Sequence, residues 1–130
     1  MTNYADKTGR LPDFRVKYRW HTPDSGVPYQ RPFQHIRSDF MYERDDPQAD
    51  GMYMIWPEFE RDDGVPWAEE AEIPTVGFAS MWILSKDLRA LHRARLAPGV
   101  RGFMMAGPHK IADVEVIELI GIGHEVAGDA

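Results

Sequence analysis

Leu96-Ala-Pro-Gly-Val-Arg-Gly-Phe-Met-Met-Ala-Gly-Pro-His-Lys-Ile-Ala-Asp-Val-Glu-Val-Ile-Glu-Leu119 reads as two β-strands, at about 100 to 106 and 110 to 120, joined by a tight turn at Ala106-Gly-Pro-His-Lys110. Glycine supplies a positive φ and proline fixes its own, which is what a short reversal requires. With this hairpin as an anchor, the remaining strands can be traced outward. Phe14-Arg-Val-Lys-Tyr-Arg-Trp20 alternates, with Phe14, Val16, Tyr18 and Trp20 on one side and Arg15, Lys17 and Arg19 on the other. That period of two marks a half-buried strand with a basic outer face.

Further strands are predicted at about 35 to 43, carried by Ile36, Phe40 and Tyr42, at 52 to 59, and at 77 to 84. Pro57 places an edge or a bulge in the strand at 52 to 59. Thr22 to Gly26, Asp45 to Gly51 and Arg61 to Pro66 are turns, and Trp67 to Pro74 is an acidic loop. Ser85 to Leu96 is the single helix, with Ser85 as N-cap, Leu88, Leu91 and Arg95 or Leu96 on its apolar stripe, and Pro98-Gly99 ending it. The pattern predicts a mainly β chain: a small six-stranded antiparallel Greek-key barrel with one short helix at about 85–96. A flexible arm over 1–13 and a flexible tail over 121–130 would flank a barrel over 14–120. Its interior is expected from Phe14, Val16, Tyr18, Phe40, Ile83, Phe103, Val114 and Val116, each contributing roughly 1.5 to 3 kcal/mol when fully buried.

A chain of 130 residues fits one domain, and one core of its own suffices for stability without a cofactor. The absence of cysteine excludes disulfides, thiol nucleophiles and thiolate metal sites. No apolar run reaches the roughly 18 residues of a membrane span, so a soluble, cytoplasmic protein is expected. The net charge of −6 conceals a segregation. Residues 7 to 37 carry seven Lys/Arg against Asp13 and Asp24, residues 39 to 72 carry twelve acids against Arg44 and Arg61, and residues 86 to 110 carry six bases against Asp87. Either these oppositely charged strands pair and face solvent, or they form a polar recognition surface.

Motifs for catalysis are missing. No G-x-x-x-x-G-K-[ST] loop cradles phosphate, Gly121 and Gly123 lack the rest of a dinucleotide fingerprint, and no G-x-S-x-G elbow presents a serine. Asp46 to Gly51 imitates the start of a calcium loop, but its twelfth position is Pro57 rather than glutamate. The five histidines show no paired metal spacing, although a spatial cluster of His21, His35 and His109 with Asp24 or Asp39 stays open. Trp20, Trp56 and Trp82 lie in apolar or alternating strands and read as core. Trp67, isolated among acids, reads as the exposed aromatic.

Two separated pieces resemble the C-terminal β-barrel domain of bacterial translation elongation factor Tu. The first is Asp24 to Glu43, where Phe33, Arg37 and Phe40 fall on matching positions. The second is the hairpin, through Gly99, Phe103, Gly107 and Lys110-Ile-Ala. The family's arginine-bearing turn is replaced here by Ala106-Gly-Pro-His-Lys110, and its Gly-Tyr-Arg-Pro by His35-Ile-Arg-Ser38. The resemblance implies a stand-alone translation-factor-like barrel, detached from any GTPase domain.

The expectation is a binding module and not an enzyme, with no cofactor and no metal. A protein partner is expected first, met by the acidic 39 to 72 block with Trp67 as an immunity-type inhibitor of a secreted nuclease toxin would meet a basic surface. The alternative is an RNA- or ribosome-associated protein using the basic strand faces. Arg15, Lys17, Arg19, Arg37, Trp67, His109 and Lys110 form the candidate binding surface.

Overall fold

The computed structural model describes residues 3–22, 31–46 and 48–124. Six antiparallel strands, β1 (Phe14–Trp20), β2 (Asp39–Tyr42), β3 (Ile55–Glu60), β4 (Val76–Ile83), β5 (Arg101–Ala106) and β6 (His109–Leu119), form one sheet in the order β2-β5-β6-β1-β4-β3. The sheet curls into a half-barrel until its two ends meet: Phe40 and Tyr53 exchange both backbone hydrogen bonds at 2.8 Å. The predicted helix is present in shorter form, as a 3-10 turn (Lys86–Leu88) followed by α2 (Arg89–Arg95). Ser85 makes no side-chain capping bond, and the helix buries His92 and the following Leu96 while Leu91 stays exposed. Among the described residues, no helix is long and apolar enough to cross a membrane.

The alternation read in β1 holds: Phe14, Val16, Tyr18 and Trp20 are all buried in the core, with Phe40, Phe59, Met104, Val114 and Val116. Phe103 departs from expectation and stands half-buried on the outer face. Its neighbour Gly102 explains this. A Cβ there would lie 2.6 Å from the Met41 carbonyl oxygen and 2.8 Å from the Phe40 ring. Only glycine fits where the paired strand β2 lies so close, so Gly102 takes the inward position, and the period of two sends Phe103 outward.

Within the segments expected as arm and tail, the described residues include two short helical elements and a buried carboxylate. Tyr4–Thr8 is a five-residue helix, α1, capped by the Asn3 side chain, and Tyr4 and Asp13 are buried. Asp13 is fully enclosed and receives Arg10, Arg89 and the Ile83 backbone N–H at 2.6 to 2.9 Å. Burial without such partners would carry a large desolvation cost. Ile122, in a final 3-10 turn (Ile122–His124), also joins the core. The turn expected at Thr22 to Gly26 and the first half of the Asp24 to Glu43 match lie, beyond Thr22, mainly outside the described residues.

The strand expected at 35 to 43 is confined to Asp39–Tyr42, because the chain before it serves another purpose. Gln34 is buried and its amide acts as a missing strand: Oε1 accepts the Phe59 N–H at 2.8 Å, and Nε2 donates to the Phe59 and Trp67 carbonyls at 2.9 Å each. With Pro57 offering no N–H, the outer edge of β3 is closed to strand addition over this stretch.

Candidate binding surface

The outward row of β1 is Arg15, Lys17 and Arg19, and the ladder sets acids beside it. Lys17 is paired in register with Glu115, and Arg19 with Asp113. Their side chains form ion pairs at 3.8 and 3.1 Å, Arg101 reaches Glu115 at 3.7 Å, and Arg15 meets Glu60 at 2.9 Å. Ser80 also donates to Glu60, at 2.8 Å. Apart from the half-buried Arg15–Glu60 pair, such exposed pairs stabilise by about 0 to 1 kcal/mol each, so their main effect is to cancel the basic field that the sequence places on this strand.

His21 completes this network, with Nε2 2.8 Å from Asp113 and Nδ1 3.0 Å from the Lys110 carbonyl. Burial alone would raise the Asp113 carboxyl, but the hydrogen bonds from His21 and Arg19 hold it below its ordinary value. Two other imidazoles go elsewhere. His35 meets Glu58 at 2.8 Å, and His92 meets the Tyr42 hydroxyl at 2.8 Å. His21 and His35 are thus held by different partners, and the cluster with His109 does not form. Asp24 falls outside the described residues, and among those described no three His, Asp or Glu side chains converge as a metal would require. In the loop after β2, Asp46 and Asp50 accept backbone N–H groups of the loop itself at 2.9 and 2.8 Å.

The outer face has a covered half and an open half. On the covered half Tyr4 lies over the sheet, its ring stacked on His35 at 4.5 Å and edge-on to Trp82 at 6.1 Å, while its backbone N–H donates to Glu58 at 2.9 Å. His35 holds a φ of +66° here, a conformation that costs a non-glycine residue free energy. Burial, with the Glu58 charge nearby, pushes the Tyr4 hydroxyl up to about 12. Trp82, expected in the barrel interior, is buried by this cover instead, and Arg37 lies 4.9 Å over Trp56 beside it.

On the open half a groove of about 560 Å³ runs between Lys17, Arg19, Phe78, Arg101 and Phe103. Beside it lies a depression of about 670 Å³ lined by Arg61, Asp62, Asp63, Trp67 and Pro74. Val76 and Gly77 line both, and Val76 is 59% exposed. The ridge arises from strand length. β3 pairs with β4 only from Ile83 to Phe78, so Gly77 and Val76 overhang its end with β1 as their one strand neighbour.

Of the residues selected from sequence, Lys17 and Arg19 line the groove, Arg15 lies 4.8 Å over Phe78, and Lys110 lies 4.1 Å over Phe103. Trp67 is not freely exposed; it packs half-buried against the core, and its remaining surface lines the depression. Arg37 belongs to the covered half, and His109 pairs with Ala106 at the hairpin turn and lines neither cavity. Val76, Phe78 and Phe103 were missed. Strand alternation could have placed Phe78 outward opposite Lys17, but the overhang of β4 depends on where β3 stops, which no local pattern reveals.

No protein-family profile matches the chain, and no curated protein matches it.

Proposed function

We propose that the protein is a non-enzymatic binding module on an elongation-factor-like barrel, and that it engages a protein partner through the open half of the outer face. The observation that carries this reading is Val76, a β-branched side chain 59% exposed on a ridge between two cavities. An apolar ridge rimmed by polar groups is the usual anatomy of a protein contact. On the groove side of it Lys17, Arg19 and Arg101 are paired with Glu115 and Asp113, so docking there does not strip isolated cations of their water. An immunity-type inhibitor of a basic toxin domain is the biological role that fits the acidic 39 to 72 block best.

RNA binding through the same strands is less well supported, because Arg15, Lys17 and Arg19 each have a carboxylate within 4 Å. Neutralising phosphates would first require breaking those pairs. The test is co-purification of the tagged protein from its native cell beside a Val76→Asp variant. A stoichiometric protein retained by the wild type and lost by the variant is expected. Equal retention by both, or recovery of RNA alone, would refute the reading.

A further inference from the structure

We propose that the depression beside Val76 is a subsite for one arginine side chain of the protein partner, flanked in that partner by apolar residues. This rests on the protein-binding reading above and specifies its chemistry. The lining combines Trp67 with Asp62 and Asp63, and with Arg61, whose charge Asp63 balances, so that Asp62 is left as the uncompensated charge. Asp63 is engaged by Arg61 at 3.0 Å and by the Val65 N–H at 3.1 Å, which fixes its position. Asp62 has no ion-pair partner among the described residues, and it is exposed at the mouth.

An apolar and aromatic floor with an acidic rim suits a cation carried on an aliphatic stem. Guanidinium fits it better than ammonium, being planar, weakly hydrated and able to stack on an aromatic face while its fork meets a carboxylate. Val65 and Val76 stand exposed by 48% and 59% and would receive aliphatic neighbours of that arginine. The position of Trp67 is well determined: its backbone N–H is bonded to the Phe59 carbonyl at 3.0 Å, and its carbonyl accepts Gln34 Nε2 at 2.9 Å. A pre-set aromatic wall lowers the ordering cost of binding. The alternative occupant, an anionic partner, would face Asp62 directly.

The experiment is an NMR titration of the full chain with the peptide Ac-Gly-Val-Arg-Val-Gly-NH2, against the same peptide carrying glutamate or lysine in place of arginine. A saturable shift of the Trp67 indole N–H is expected with the arginine peptide. Asp62→Asn, a substitution at an exposed position, should weaken it about fivefold, the upper range for an exposed ion pair, and the glutamate peptide should produce no shift there. Equal response to arginine and glutamate, or no response at Trp67 to any peptide, overturns the subsite. If the peptide fails while a partner is still lost on Val76→Asp, the docking face stands without the arginine subsite. If Val76→Asp has no effect on partner capture, the docking face itself falls.

Discussion

The buried imidazole of His92 makes stability depend on pH in a way that one substitution can isolate. His92 is 1% exposed, under Tyr42 and edge-on to Tyr53 at 4.6 Å, with Arg95, Arg89 and Asp13 as the charged groups acting on it. Burial, followed by the Arg95 charge, pushes its pKa from 6.5 down to about 4. Tyr42 is raised, chiefly by burial, so its hydroxyl stays protonated and donates to the neutral ring at Nδ1. A base whose folded-state pKa is depressed binds its proton more readily in the unfolded chain. Its contribution is therefore complete above pH 6.5, is lost as pH falls from there toward 4, and is constant below.

From these two pKa values, the loss between pH 7 and pH 4.5 is about 2 to 3 kcal/mol, on the order of a third of a small domain's stability. Other groups also respond to acid, so the comparison must be with His92→Gln, whose amide can still accept the Tyr42 O–H but does not titrate. Urea unfolding followed by tryptophan fluorescence at the two pH values gives both free energies. Wild type is expected to lose about 2 to 3 kcal/mol more than the variant over that interval. Parallel losses would show that the ring takes up its proton in the native state at an ordinary pH, and the placement of His92 would be refuted.

Gln34→Ala removes both bonds to Phe59 and leaves a buried N–H without its partner, so urea unfolding should show a loss of about 1 to 3 kcal/mol, together with greater self-association from the uncovered edge of β3. Gly102→Ala drives a methyl into the Met41 carbonyl oxygen, and the thermal midpoint should fall by an amount corresponding to about 1 to 3 kcal/mol; an unchanged midpoint would contradict the close approach of β2. Tyr4→Ala deletes the one buried side chain of α1 and should open that helix locally, seen as a red shift of tryptophan emission and rapid amide exchange at Gly9. The β-sheet should stay folded, because a five-residue helix contributes nothing to the barrel interior.

Where the sequence pattern is local, it carried the fold well. The alternation of β1, the hairpin from Arg101 to Leu119 and the helix after Ser85 all follow from periods of two and 3.6 and from turn chemistry. It failed where a distant strand decided the outcome. Phe103 was assigned inward on hydrophobicity, yet β2, some sixty residues earlier, excludes a side chain at Gly102 and reverses the choice. Trp82 likewise reads as interior, since nothing near it announces that Tyr4 will return to cover the outer face. Charge was legible as blocks but not as pairs: that Lys17 meets Glu115 and Arg19 meets Asp113 depends on the β1–β6 register, which has a bulge between Arg15 and Val16.

The same dependence on length and register accounts for the open face. β4 has eight residues and β3 six, so two positions of β4 must project past the end of its neighbour. One is glycine, Gly77, where a Cβ would crowd Tyr18: it would stand 3.2 Å from the hydroxyl oxygen, and that hydroxyl donates to the Pro74 carbonyl at 2.7 Å. This bond ties the end of the loop, at Pro74, to the end of β1. The other position is Val76, whose side chain therefore has neither a strand partner on the β3 side nor a helix above it, unlike Trp82 under α1. An exposed apolar side chain at the end of a strand is common and needs no purpose. Val76 differs because a buried tyrosine, a strand overhang and a constrained loop together hold the space around it open on both sides.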